Sequence, residues 1–460
     1  MQYISNRTNG SGRRRAAPGR APSQAFDRVA DAFFLLLYGL MFYLVYRDYV
    51  SIEWGYTGLS FASLSGYEIA FIALAIAIQG WAMPPIISSP SAVILWMLTV
   101  LIYVPTMIIT LMIGERAPSA YYGNLAALSL VMILASFSSK RVTVSEDEPL
   151  PGDRFFYLSL AIFVVFTFIL FLQYRSIMSF SSVEDIYFQR FAASDLGASS
   201  IIGYIRTHYL YVFSSLMFGS AFLRRRYWYL SLVGFSGYVI TYLIDASKIS
   251  FVIPLLMMAF MAARKFGRSR AWVLNAGLAF LTLACGALTT LSSGAKLIAD
   301  LVLTRSIAIP AQTFAQYADV FHERGYTMWS NVRGLSWIIP PPQSFTSDPF
   351  WPVLGQIVGA DYYGMDSRAN LNANLFAGEG IAAAGSVGVI VIGLAMILYL
   401  RFLDAAAKGW NQKLVILISV PLGMSLTNTH LSTLLLSFGG FFWLAVMYVY
   451  KPGRGESSVP

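Results

Sequence analysis

The chain has 460 residues, of which 57% are hydrophobic and 12% charged, with a net charge of +9 and a mean hydropathy of +0.61. That composition excludes an ordinary soluble globular protein and points to a polytopic membrane protein. The positive balance reads as membrane topology, not nucleic-acid binding, because its lysines and arginines fall between apolar windows.

The first 25 or so residues, rich in Arg, Pro, Gly and Ser, read as disordered. They lack the apolar core and small-residue cleavage site of a secretory signal. The fold class expected is an all-α polytopic membrane protein with about twelve transmembrane helices and a large folded outer (periplasmic) loop. Apolar windows long enough to cross roughly 30 Å of hydrocarbon fall near 29–46, 67–83, 92–113, 120–137, 155–174, 201–222, 227–244, 249–263, 271–291, 381–400, 414–427 and 432–450. The expected organisation is a cytoplasmic N-terminus at 1–28, a bundle over 29–291 with an outer loop at 175–200, and an outer cap loop at 292–378. Further transmembrane helices over 379–450 and a cytoplasmic tail at 451–460 complete it.

Orientation follows from the basic residues. With both termini cytoplasmic, Arg13–Arg15, Lys140, Arg141, Arg224–Arg226, Arg264–Arg270, Arg401, Lys408, Lys413, Lys451 and Arg454 all lie inside. The single cysteine, Cys285, sits in an apolar window and reads as a small buried residue.

In the outer loop at 175–200, Ser181 or Ser182 offers an N-cap, with Glu184 or Asp185 three residues on, and a short helix ending near Arg190 is expected. "YLIDASKIS" at 242–250 places Asp245 and Lys248 three apart, able to pair with each other or, for Lys248, to face an anionic ligand. In the segment 292–378, Pro310 suits the first turn of a helix. Gln312, Gln316, Asp319 and Glu323 then share one face, and Phe314, Tyr317 and Phe321 the other, so an amphipathic helix lying on the membrane or on the bundle is predicted. Trp329, Trp337, Trp351 and "IIPPPQSF" argue that the rest of this segment is a folded cap.

"NLNANLFAGEGIAAAGSVGVI" carries polar residues straight into an apolar window. A helix starting before residue 370 would gather Arg368, Asn372 and Glu379 within about 40° at about 100° per residue, with Asn370, Asn374 and Gly378 alongside. Its glycines and alanines allow close helix approach. Ionisable groups at such a position are functional candidates. Near the last outer turn, "SLTNTHLS" puts Asn428 and His430 on the same side.

Some chemistries have no signature here. The sequence has no P-loop or Gly-rich dinucleotide fingerprint. Its three histidines, His208, His322 and His430, are scattered without zinc-ligand spacing. "SEDEP" at 145–149 reads as an exposed acidic loop, and the cytoplasmic loops are too small for a nucleotide-sugar domain. What stands out is outer arginine: Arg175, Arg190, Arg206, Arg305, Arg324, Arg333 and Arg368. A planar guanidinium that binds phosphate oxygens bidentately and stays charged suits a lipid-linked phosphate or pyrophosphate.

The D-x-S-K stretch at 245–248, "TRSIAIPAQTFAQYADVF", "GYTMWSNVRGLSWIIPPP" and "NLNANLFAGEGIAAAGSVG", in that order, resemble the Wzy-type O-antigen and oligosaccharide repeat-unit polymerases. The likeness covers roughly 175–400 and the topology. Family members often carry an arginine followed by ten residues and a glycine. Here Arg368 is followed instead by Gly378 and Gly380, so the candidate sites rest on charge and placement.

The resemblance implies a GT-C-like bundle in the bacterial inner membrane, a metal-independent glycosyltransferase polymerising undecaprenyl-pyrophosphate-linked oligosaccharides at the periplasmic face. It also implies a chain-length regulator and a flippase as partners, alongside membrane lipids, with no nucleic acid, no cofactor and no metal. The candidate catalytic residues are Glu379, Asp319 and His322. Candidates for pyrophosphate are Arg190, Arg305, Arg368, Lys248 and Arg333, and for sugar Asn372, Asn374, Trp329 and Trp337. The rival readings are an O-antigen ligase, a transporter or flippase for lipid-linked or anionic substrate, and a structural assembly factor.

Overall fold

The computed structural model describes residues 24–139, 144–180, 186–197, 200–267, 270–450 and 452. Of the expected disordered N-terminus at 1–28, the part up to residue 23 lies outside the described residues and Gln24–Arg28 are instead helical; the Ser181/Ser182 cap with Glu184 and Asp185, and the tail apart from Pro452, also lie outside the described residues.

The helices, in chain order, are α1 (Gln24–Glu53), α2 (Gly66–Ala82), α3 (Pro90–Ile113), α4 (Tyr122–Ser139) and α5 (Asp153–Tyr174). There follow α6 (Ile186–Leu196), α7 (200–223), α8 (Arg225–Asp245), α9 (Ile249–Gly267), α10 (Ala271–Leu288) and the bent pair α11 (Ser293–Thr304) and α12 (Ile309–Arg324). The chain continues through α13 (Leu354–Tyr363), α14 (Leu375–Ala406), α15 (Gln412–Leu426), α16 (Leu431–Ser437) and α17 (Gly440–Val449). Among the described residues, seven helices are long and apolar enough to cross a membrane, or nine if each of two bent pairs is one span. This is fewer than the twelve expected. All twelve windows fall on helix, but several are too short or too polar over eighteen residues to qualify by themselves.

Local chemistry starts several of these helices. Ser65 and Glu68 form a reciprocal capping box at α2. Ser89 caps α3, with Pro90 in the first turn, and Asn411 caps α15. α3 runs through the middle of the bundle, 94% of its apolar window buried, whereas α5 is only 22% buried. α5 presents Val164, Val165, Phe168, Phe171 and Leu172 outward, the surface a helix shows to lipid. Inside, Gln79 of α2 donates to Thr99 Oγ1 of α3 at 3.0 Å and Ser136 Oγ of α4 at 3.1 Å, the polar glue of helices that have no hydrophobic drive between them in lipid.

The two ends of the bundle hold different sets of loops. At one end Ala271 N donates to Pro85 O and Gln412 N to Ser145 O, Arg264 pairs with Glu146, Arg224 with Asp153 and Arg270 with Asp27. Asp404 accepts from Ser91 N and Oγ at 2.9 and 2.6 Å. These belong to the loops assigned above to the cytoplasm. At the other end Trp54 and Tyr49 donate to Asp300, Arg116 pairs with Asp319 and Glu379 meets His430. These join residues of the loops that the sequence assigns to the outside. This second end is called the outer end below.

The predicted amphipathic helix exists as α12, with Pro310 in its first turn, but it is not a surface helix. Residues 310–321 are buried on every face, because the helix lies between the outer half of α3 and the first part of α14. The stripe of Gln312, Gln316 and Asp319 meets protein: Gln312 Nε2 donates to Thr57 O at 2.6 Å and Asp319 meets Arg116. α6 also differs from expectation, running beyond Arg190 to Leu196.

Candidate functional site

The outer end is organised by a break in α14. Ala384 (φ −160°, ψ 32°) and Gly385 (φ 59°, ψ −138°) leave helical geometry. The chain folds back so sharply that a Cβ on Gly388 would lie 1.9 Å from Gly380 O. Glycine at 380 and 388 is what permits this approach, and the left-handed φ at 385 suits the residue without a Cβ. A broken helix frees carbonyls that must find donors. Thr327 N and Met328 N supply them, donating to Ala382 O and Ala383 O at 2.8 and 3.1 Å.

The helix does not begin before residue 370, as the sequence reading supposed. It starts at Leu375 after Asn374, whose φ is 57°. Arg368, Asn372 and Glu379 therefore do not share a helical face. Arg368 also has a left-handed φ of 49° and is exposed on the irregular segment before the helix.

Glu379 lies in the helical stretch before the break, held by the turn that follows α15. Its side chain is 1% exposed. Oε2 accepts from Leu431 N at 3.1 Å and lies 3.5 Å from His430 Nδ1. Five residues earlier, Asn374 N donates to Thr427 O at 2.7 Å, and Asn428 Nδ2 donates to Thr427 Oγ1 at 2.7 Å. Asn374 and Glu379 are thus tied to one turn, Thr427–Leu431, between α15 and α16. Below them, Tyr317 of α12 packs on Gly378 and donates to Leu371 O at 3.1 Å.

A basic group forms around the end of α8. Arg190 of α6 donates from Nε to Asp245 O and from Nη2 to Ala246 O, each at 3.3 Å, with Ala246 in left-handed geometry at φ 49°. Arg206 Nη1 is 3.8 Å from Asp245 Oδ2, and Ser247 N donates to Asp245 Oδ1 at 2.9 Å. Arg206 of α7 thus faces Asp245; Lys248 follows two residues after Ala246 and is half-buried. Arg368 stacks over Phe191, its Cζ 5.3 Å from the ring centroid, which brings it beside the residue that follows Arg190. Around one carboxylate, Asp245, stand Arg190 and Arg206, with Arg368 close by.

α16 joins the two groups. His430 and Glu379 lie at its start, and at its end Ser437 O accepts from Thr207 Oγ1 at 2.7 Å, next in sequence to Arg206. Seven residues at 1.5 Å each span about 10 Å.

Other candidates are placed apart. Asp319 is held in a network of its own: Arg116 Nε donates to Oδ1 at 2.7 Å and Tyr121 Oη at 2.6 Å, with Tyr362 Oη 3.4 Å from Oδ2. Burial first, and then the charge of Asp319, pushes the Tyr362 phenol up. Burial and the same carboxylate push Tyr121 up to about 12. Both phenols stay neutral donors, which makes Asp319 a pinned carboxylate joining the α3–α4 loop, α12 and α13. His322, Arg333 and Trp337 are exposed, and Trp329 is half-buried. Asn372 packs with Asn370 against Gly355 at the start of α13, where a Cβ on Gly355 would be 2.3 Å from either side-chain oxygen. The side chain of Arg305 lies outside the described residues. Arg324 pairs with Asp348 and Asp361 and anchors the outer segment. Among the described residues, no three His, Cys, Asp or Glu side chains gather as a metal-holding group.

Arg116 and the contact of His430 with Glu379 did not come from sequence. Their only signal was an ionisable residue beside an apolar window, which many residues share. No family model, no curated protein and no solved structure matches this chain.

Proposed function

We propose that the protein is a bacterial inner-membrane glycosyltransferase that polymerises undecaprenyl-pyrophosphate-linked oligosaccharide repeat units at the periplasmic face. The reading rests on the resemblance of the 245–388 motifs to Wzy-type polymerases. The observation that carries it is a buried carboxylate, Glu379, beside the half-buried imidazole of His430, with a guanidinium group one short helix away. Those are the two functions that glycosyl transfer from a lipid pyrophosphate needs.

In this mechanism Arg190, Arg206 and Arg368, with Lys248 nearby, bind the pyrophosphate of the growing chain. A hydroxyl of the incoming lipid-linked unit attacks the anomeric carbon. The bond from that carbon to the pyrophosphate oxygen breaks, the new glycosidic bond forms, and the hydroxyl proton passes to Glu379, with His430 as its partner. The guanidinium groups stabilise the negative charge that develops on the leaving pyrophosphate, and the carboxylate acts as general base. An O-antigen ligase uses the same donor chemistry and differs in its acceptor.

A second reading, a transporter for a lipid-linked or anionic substrate, is favoured by the break at Ala384–Gly385 and by the 56° bend between α16 and α17, since broken helices commonly form transport sites. The test is polymer length in cells whose only repeat-unit polymerase is this protein. The enzyme reading expects Arg190→Ala and Arg368→Ala to yield single repeat units with normal protein levels. Long chains in both variants would overturn it, and accumulation of repeat units on the cytoplasmic face would favour the transporter.

A further inference from the structure

Asn374 has no part in the mechanism above, yet its environment is the most demanding of any polar side chain near Glu379. It is fully buried, its backbone is pinned to Thr427, and neither Nδ2 nor Oδ1 has a hydrogen-bond partner among the described residues. Buried side-chain amides are normally satisfied on both atoms, and leaving a donor and an acceptor unmet together is costly. An asparagine tolerates the left-handed backbone here, but backbone geometry does not explain a carboxamide with both halves open.

The chemistry of the missing partner follows from the pair of atoms. A cation would satisfy Oδ1 alone and an anion Nδ2 alone. Two hydroxyls on adjacent carbons satisfy both, one donating to Oδ1 and the other accepting from Nδ2. Glu379, fixed to the same Thr427–Leu431 turn, places a carboxylate nearby that repels a second one. We infer that Asn374 binds a neutral vicinal diol of the acceptor sugar and that the site rejects sugars carrying a carboxylate. The inference rests on the polymerase reading for the arrival of a sugar. The irregular segment 364–374 runs from exposed Ser367 and Arg368 to the buried Asn374.

The test is saturation-transfer NMR on the full-length protein in lipid nanodiscs. The probes are methyl β-glucoside, methyl α-mannoside, methyl β-galactoside, methyl β-glucuronide and methyl 3-deoxy-β-glucoside, the last of which has no adjacent ring hydroxyls. At least one neutral hexoside is expected to bind, with the glucuronide and the deoxy sugar at least tenfold weaker. Asn374→Asp, which suits the same backbone but lacks the donor, and Asn374→Leu should each reduce binding at least tenfold, with thermal unfolding measured alongside. The comparison of sugars on the unaltered protein decides the matter even if both variants unfold. Equal binding of glucuronide or deoxy sugar, or undiminished binding in folded variants, overturns the inference. So does the absence of any hexoside signal, which would leave a buried water only at Asn374. Diol binding that depends on Asn374, in a protein that forms no polymer, would keep this site and sink the polymerase reading.

Discussion

Glutamine at position 379 keeps an oxygen to accept the Leu431 N–H and removes the negative charge. Glu379→Gln should therefore leave thermal unfolding nearly unchanged while lowering elongation by roughly 10²- to 10⁴-fold, the usual worth of a general base. Retention of wild-type elongation by a folded Glu379→Gln protein would remove Glu379 from the mechanism. Asp319 is the second candidate from sequence, after Glu379, and its network predicts the opposite balance. Arg116→Ala leaves a buried, charged Asp319 without its cation, which costs about 3 kcal/mol, near the low end for a buried pair because Arg116 is partly exposed. A large fall in unfolding midpoint is expected, against almost none for the exposed Arg333→Ala. Sequence could propose both carboxylates because both stand among apolar residues. It could not separate them, since the distinction lies in partners more than fifty residues away in one case and about two hundred in the other.

Elements show why the polar entry to α14 was read as one continuous helix. Its 3.6-residue pattern holds on either side of Ala384 and Gly385, and a glycine-rich stretch suits close packing as well as a break. What decides for the break is outside the helix: Thr327 and Met328 supply donors to the freed carbonyls. Gly388→Val would place side-chain atoms inside the backbone of Gly380 and should abolish the folded, detergent-stable protein, read by size-exclusion profile. Gly385→Ala adds a Cβ at a positive φ with ψ −138° and should cost about 1–3 kcal/mol, seen as a lower midpoint. A Gly388→Val protein as stable as wild type would mean that α14 runs straight. α12 is the reverse case. Its start and its periodicity were legible, but its placement was not, because glutamines and an aspartate on one face look the same facing water or facing Thr57 and Arg116.

For the whole molecule, the helical membrane architecture follows from composition, while the number of spans depends on how bent and short helices are used. The orientation drawn from the pattern of basic residues can be checked directly. Cys285 is buried, so cysteines introduced at exposed Ile338 and at Arg225 report opposite faces. A membrane-impermeant maleimide should label Ile338→Cys from the periplasm and Arg225→Cys only after the membrane is opened. Labelling of both from one side would contradict the orientation. The proposed function depends on bringing two groups from different parts of the chain to the same end, about one short helix apart. The most direct measurement is reconstitution of the purified protein with undecaprenyl-pyrophosphate-linked repeat units, with products resolved on a gel in the presence and absence of EDTA. A ladder of lengthening chains that survives EDTA and is lost with Glu379→Gln and with Arg190→Ala is expected; repeat units that stay single with the wild-type protein, or cross the vesicle membrane unpolymerised, would rule out the proposed polymerase.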